Sequence, residues 1–482
     1  MLPSKEIEAA RSAANVPSLA IAVAKNGSIL YEEGFGCANR EQNLAADPHV
    51  LYSLASISKP ITATALMILV ERGEIDLDTP INEYLGDAKV HGHIGVFPDG
   101  RGGFPSPVDA AKEATVRRVA NHTSGLPLHH HFFHEDENVS PPHRDESIHK
   151  YGHLVSAPGE RWQYANFGYG LLDYVIERVS GVDFASFLKQ EVFDPLGMTH
   201  ASLGIAPDLS PFAAERYGKN GAPIPFYGFD HPGASAVFCS AHDLIRFGTF
   251  HLKHPFDDQR PILSDEAIDS MQTPTAESAP GVGYGIGWRI DRNRSGYETV
   301  GHDGSMGGVR TRLVLVPSEK LAVAVLCNAS NEFPIEIAHR ILQSCLAGYE
   351  MPAQTIKDDD QIEPTTDFTP HPGLLGEWHG TIHTQDGNIP FALSVDETGR
   401  IEAQAGDQPA TPLNNPTFAN DRLVGAMSGR LQTEDAARRP HDLRLDLALR
   451  WNVLNGSVTA VSKPGPRLGN ALSYWCELEC SQ

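Results

Sequence analysis

No apolar run in the 482 residues is long enough to cross a bilayer. The longest, such as Ala65 to Val70 and Leu321 to Cys327, fall well short of the roughly 18 residues a spanning helix needs. Positive charge is scarce as well. Lys and Arg number 38 against 61 Asp and Glu, a formal net charge of −23, and a surface that acidic repels phosphate backbones and argues against nucleic acid as a partner. The first 25 residues lack the unbroken apolar stretch of a secretory signal, because acids and Arg11 interrupt them, and a cytoplasmic protein is expected. Cysteine is sparse and scattered: Cys37, Cys239, Cys327, Cys345, Cys476 and Cys480 include no Cys-x-x-Cys pair, so buried thiols are expected rather than a disulfide framework or a metal site. Internal repeats are absent. What remains has the proportions of a folded chain, 41% hydrophobic and 21% charged residues, at a length that implies two or three domains.

Two strand-like runs, Ser18 to Lys25 and Ser28 to Gly36, flank Asn26-Gly27, a dipeptide that supplies the positive φ angles of a tight hairpin. A helical pattern starts at Ser56 and stops at Gly73. Helices and polar loops fill the middle, and strands are expected at Tyr284 to Ile290, Val309 to Val316 and Leu321 to Cys327, the last two joined by a turn at Pro317 to Lys320, before a helix from Pro334 to about Leu346. Strands at both ends with helices between them predict an α+β unit over residues 1–350: one antiparallel sheet flanked by helices, with a mostly helical insertion. Residues 351–372 are polar and Pro-rich and read as a linker. Beyond them, Phe391 to Val395 and Leu443 to Leu449 alternate apolar with polar, which predicts a small all-β barrel or sandwich over 373–482.

Three short motifs could carry chemistry. Ser56 and Lys59 are three apart at a helix start, which puts a hydroxyl beside an amine on one face. A serine becomes nucleophilic only when a base takes its proton, and a lysine serves only if burial or nearby charge lowers its pKa. The same spacing recurs at Ser186 and Lys189, where Phe184, Phe187 and Leu188 indicate plain helix packing. Tyr164 and Asn166 form a Tyr-x-Asn triplet before a helix; the phenol could shuttle protons and the amide could donate to a carbonyl. His302, Gly304 and Ser305 lie between late strands, with Gly307 and Gly308 following, where glycines allow close backbone approach to a ligand.

In that order, Ser-x-x-Lys, Tyr-x-Asn and His-x-Gly resemble the serine β-lactamase and penicillin-binding-protein superfamily. The stretches Tyr52 to Pro60, Asn121 to Pro127, Pro158 to Glu160 and Asp194 to Met198 are similar to its branch of class C β-lactamases, D-aminopeptidases and esterases. The resemblance covers about residues 5 to 348. It implies that Ser56 is acylated, that Lys59 and Tyr164 share the work of general base and acid, that Asn166 positions the substrate, and that the backbone N–H groups of Ser56 and Ser305 form the oxyanion hole. No metal or organic cofactor is implied. Where β-lactamases of this branch usually carry Lys-Thr-Gly, this chain has His302; the His form is common among the peptidases and esterases, and some peptidase-type members carry a lipocalin-like C-terminal barrel that shapes the cleft.

The expectation is therefore a serine hydrolase acting through an acyl-enzyme on a small-molecule or short-peptide amide or ester, with a homo-oligomer compatible with this reading. A β-lactamase or D-alanyl-D-alanine carboxypeptidase activity is one alternative, and a penicillin-binding sensor without turnover is another. The run His129 to Glu137 holds four histidines and three acids, donors that zinc would accept. Without His-Glu-x-x-His it reads as a solvated flap, whose acids would draw ammonium-bearing substrates if it borders the cleft.

Overall fold

The computed structural model describes residues 2–92, 110–294, 296–350, 368–465 and 467–481. Strands Ser18–Lys25 and Leu321–Cys327 are apolar at almost every position, so they suit the middle of a sheet covered on both faces. They pair with each other, Ala22 opposite Ala324, at the centre of a nine-stranded sheet. Ser28–Asn39 and Leu44–Ala45 extend one side, and Val309–Val316, Tyr297–Met306, Arg289–Arg294, Val282–Tyr284 and Ala276–Ala279 extend the other. All neighbours run antiparallel. The predicted hairpin turn forms with Asn26 at φ 52° and Gly27 at φ 70°, the left-handed pair a two-residue turn requires.

Alternation sorts the central side chains into two cores. Ala20, Ala22, Leu313, Leu315 and Ala324 face helices Ser58–Glu71 and Ala241–His251, while Leu19, Ile21, Val23, Val314 and Val323 face helices Ser4–Ala13 and Phe333–Cys345. The strand expected at Tyr284 to Ile290 is instead two strands. At Gly285 the backbone turns against the helix Asp265–Gln272, Ile286 N donating to Met271 O at 2.9 Å, and Gly287 at φ 80° turns it back.

The C-terminal part is β apart from a one-turn helix at Glu434–Ala437: nine antiparallel strands between Gly376 and Cys480, nearly closed into a barrel. Trp378, Leu393, Leu445, Val458 and Leu478 fill it. Strand His441–Arg450 alternates buried with part-exposed residues as its sequence predicts. Most of the expected linker, residues 351–367, lies outside the described residues. All six cysteines are free; Cys239, Cys327 and Cys476 are buried. No helix among the described residues is long and apolar enough to cross a membrane.

The barrel sits against the helical insertion along the His-rich run, and this overturns the solvated flap. His129, His131 and His134 are at most 1% exposed. Polar composition misled because the covering partner is some 300 residues away and basic. Arg467 pairs with Asp136, Arg438 and Arg439 with Glu137, and Arg439 also reaches His134 Nδ1 at 2.9 Å. Glu135 accepts from Phe226 N at 3.1 Å. With Asp136 and Glu137 matched by arginines, the acids do not act as free charges drawing ammonium groups to a cleft. Around them Arg450 pairs with Glu160, Arg161 with Asp446, and Tyr151 donates to Asp435 at 2.7 Å.

Candidate active site

Ser56 does not open the α-helix itself. It occupies a 3₁₀ turn, Ala55–Ile57, from which helix Ser58–Glu71 continues. Ala55 carries φ 49°, a conformation that costs a residue with a Cβ and persists only where surroundings enforce it. The surroundings here are tight. Leu54 O accepts from Thr311 Oγ1 at 2.9 Å, Ser58 Oγ donates to Ala55 O at 2.7 Å, and Val237 N donates to Ser58 Oγ at 3.0 Å. Ser56 is left part-exposed at the top of the turn.

Three residues on, Lys59 is fully buried. Its Nζ lies 3.1 Å from Ser56 Oγ, 2.7 Å from Asn166 Oδ1 and 3.1 Å from Ala234 O. Burial drives its pKa well below the usual lysine value. A neutral amine has two N–H donors and one lone pair. Asn166 Oδ1 and Ala234 O can only accept, so they take the two donors, and the lone pair is left facing the Ser56 hydroxyl. That is the geometry for taking a proton from serine.

Tyr164 packs above, its ring centroid 4.7 Å from Lys59 Nζ, and its hydroxyl hydrogen-bonds Ser56. Burial raises its pKa, so the phenol keeps its proton at neutral pH and can donate it. His302, 7% exposed, stands behind with its ring 6.4 Å from that of Tyr164. Its Nδ1 lies 2.7 Å from the Asp303 carbonyl and must carry the proton; Nε2 then accepts from Tyr284 OH at 3.1 Å. Burial and the nearby Lys59 push its pKa down to about 4, so the imidazole is neutral, further from a cation than an ordinary histidine. Gly304 lies against the Leu54 carbonyl and Ala55, and Ser305 next to it is exposed.

The structure thus gathers Ser56, Tyr164 and Asn166 around Lys59, with His302, Gly304 and Ser305 on the strand packed beside the serine turn. Ser186 lies apart; Asp183 caps its N–H, and Phe184, Phe187 and Leu188 are buried. Sequence reading missed Ala234, whose carbonyl carries no side-chain signal, and Tyr284, which reaches His302 from two strands away in the sheet. It also missed His130, hidden in a run whose acids looked solvated.

Among the described residues, His129, Asp230 and His231 bring ligand atoms within 4.8 Å of one another, as do Glu32, His49 and His242. In the buried group the spacings are those of hydrogen bonds. His129 Nε2 donates to one Asp230 oxygen at 2.8 Å and His231 Nδ1 to the other at 2.5 Å, so the carboxylate is satisfied by imidazole N–H groups.

A sheet of this topology with a buried lysine against a serine on a helix turn defines a serine hydrolase. The Beta-lactamase family model matches residues 5–346, and the chain belongs to that family. It is 26% identical over 370 residues to penicillin-binding protein 4 of Amycolatopsis lactamdurans, covering 72% of this chain and 90% of that one. It is 26% identical over 267 residues to the putative penicillin-binding protein PbpX of Bacillus subtilis, 54% of this chain and 60% of that protein's length. Among solved structures, the octameric penicillin-binding protein homologue from Pyrococcus abyssi aligns over 99% of this chain and 100% of its own at TM-score 0.60 and 23% identity. The D-alanine carboxypeptidase AmpC from Burkholderia cenocepacia aligns over 71% and 99% at TM-score 0.57 and 21% identity.

Proposed function

We propose that the chain hydrolyses a small ester or a D-amino-acid amide or peptide through an acyl-enzyme on Ser56. The observation that carries this reading is the buried Lys59 amine, 3.1 Å from Ser56 Oγ with its two N–H groups already taken by Asn166 and Ala234. Lys59 removes the serine proton during attack, and Tyr164, held protonated, delivers a proton to the leaving group. Backbone N–H groups of Ser56 and Ser305 receive the oxyanion. Asn166 holds Lys59 through Oδ1; with both N–H groups of its amide taken by His129 O and His130 Nδ1, it acts on the reaction through Lys59 rather than by donating to the substrate carbonyl.

Substrate choice follows from His302. Neutral, and with Nε2 engaged by Tyr284, it offers no fixed cation to the carboxylate that penicillins and D-Ala-D-Ala peptides carry. Beside Ala55 lies a buried apolar cluster of Phe132, Ile224, Tyr227 and Met306, with Leu468 of the barrel packed against it, and these side chains add no cation either. In a panel of short-chain nitrophenyl esters, D-amino-acid amides and a chromogenic cephalosporin, kcat/KM is expected to be higher for an ester or an amide than for the cephalosporin. A cephalosporin preferred tenfold over both would overturn the reading.

One observation favours a carboxylate-bearing peptide instead. Arg216, 5% exposed, stacks 3.9 Å from the Tyr227 ring centroid, and among the described residues neither of its terminal guanidinium nitrogens has a hydrogen-bond partner. If that guanidinium takes the substrate carboxylate, the reaction is of the D-alanine carboxypeptidase type, and Arg216→Gln raises KM for D-Ala-D-Ala peptides while leaving nitrophenyl esters unchanged.

Residues 1–350 form the hydrolase unit and 373–482 the barrel unit in this reading, joined by a linker over 351–372. The octameric state named for the Pyrococcus abyssi homologue supports self-association of this chain. A fragment ending at residue 350 keeps both halves of the main sheet and its closing helix, but loses the arginines that neutralise Asp136 and Glu137. We expect it to retain native-like secondary structure by circular dichroism while residues 128–137 become rapidly cleavable by protease. Complete loss of secondary structure would argue for one inseparable folding unit.

A further inference from the structure

The His-rich run takes no part in the chemistry proposed above, yet it touches both the barrel and the catalytic amide. We propose that His130 is a positioning residue for Asn166, and that the barrel strand Ala471–Cys480 holds it in place. The inference rests on the Ser56–Lys59 reading and extends it to the role of the second unit.

The outer half of the connection is a short stretch of sheet. His130 and Ala471 exchange both backbone hydrogen bonds, each 2.9 Å. Ser473 Oγ donates to Leu128 O at 2.6 Å, and Phe132 N donates to Asn470 Oδ1 at 2.9 Å. Residues 128–132 are therefore tied to the barrel at alternate positions, as an added strand would be. From the other side, His129 Nε2 donates to Asp230 at 2.8 Å, so the segment is held along both flanks.

The inner half is the Asn166 amide. Its Nδ2 donates to His129 O at 3.2 Å and to His130 Nδ1 at 2.9 Å, and its Oδ1 accepts from Lys59 at 2.7 Å. Every N–H of the amide nitrogen is matched by an acceptor. The flipped amide would set Nδ2 against the N–H groups of Lys59 and Oδ1 against the His129 carbonyl, two repulsive contacts in a buried site. His130 must accept at Nδ1, so Nε2 carries its proton. Burial above all, with His231 and His129 close by, outweighs Asp230 and pushes its pKa down to about 3, so it remains a neutral acceptor. The chain of contact runs from Ala471 through His130 and Asn166 to Lys59 and Ser56.

The test uses the full-length protein and a fluorophosphonate, which reacts with an activated serine whatever the natural substrate, read by intact mass. His130→Phe keeps an aromatic ring without the acceptor, and is expected to lower kinact for Ser56 labelling about 10- to 100-fold with KI little changed, the cost of about an ångström of misplacement. His130→Asn sets an amide oxygen near the lost Nδ1 and is expected to restore labelling to within about threefold of wild type, because it returns an acceptor to the buried amide. Labelling of His130→Phe at the wild-type rate, or His130→Asn as slow as His130→Phe while both melt like wild type, overturns the inference. Should His130→Phe fail to fold, Asn470→Ala decides: slower Ser56 labelling supports the barrel's hold, and an unchanged rate overturns it. A wild-type chain that resists the probe at every pH overturns the hydrolase reading, and this one with it.

Discussion

Ser56→Ala and Lys59→Ala are each expected to lower turnover by at least about three orders of magnitude, and the double variant by little more, because the two act as a unit. Without the hydroxyl there is nothing to acylate. Without the amine, Ser56 loses the base whose lone pair faces it, and Asn166 Oδ1 and Ala234 O are left with unmatched acceptors in a buried site. The pH profile adds a sign. A general base works unprotonated, so activity rises as pH climbs through the Lys59 pKa, and burial, which lowers that pKa, moves the rise to lower pH than an ordinary lysine would allow. His302, with its pKa near 4, contributes no limb near neutrality. Ser186→Ala leaves the chemistry unchanged. Steady-state kinetics on the best panel substrate checks all four variants, and an active Ser56→Ala beside a dead Ser186→Ala would identify the wrong serine.

How far the sequence could be read depended on whether partners were local. The hairpin at Asn26-Gly27, the strands Val309–Val316 and Leu321–Cys327 and the period-two barrel strands were legible, because turn chemistry and alternation are properties of a few adjacent residues. Residues Ser56, Lys59, Tyr164 and Asn166 were legible as a set because their order along the chain resembles a known family; no single motif distinguished them. The His-rich run was misread because its burial depends on Arg438, Arg439 and Arg467, whose approach no local pattern signals. The break after Tyr284 was invisible for the same reason, since Ile286 bonds to Met271 in a neighbouring helix. The lowered pKa of His302 was not legible either, because burial beside Lys59 is a property of the fold.

Gly304→Ala is expected to cut turnover about 100-fold, with Ser56 and Lys59 untouched, and the reason explains why the third motif needs its glycine. A Cβ at position 304 would lie 2.1 Å from the Leu54 carbonyl oxygen and 2.1 Å from Thr311 Oγ1, and 3.1 Å from Ala55 Cβ. The conflict is one of space, and backbone atoms cannot swing aside as a side-chain tip can. Either the strand Tyr297–Met306 retreats from the serine turn or the turn itself shifts. Both change the distance between the Ser56 and Ser305 backbone N–H groups, and misplacing catalytic groups by about an ångström costs about two orders of magnitude. Overpacking also lowers stability by about 1–3 kcal/mol, readable as an earlier midpoint in urea. Adding Thr311→Ala removes one of the two clashes and leaves the other, because the Leu54 carbonyl stays, so it is not expected to rescue activity. Gly465→Ala serves as the control, its nearest neighbour being Lys463 O at 3.9 Å, and should behave as wild type. Full activity in Gly304→Ala would mean that the strand does not bear on Leu54, and that the oxyanion site must be sought elsewhere than between Ser56 and Ser305.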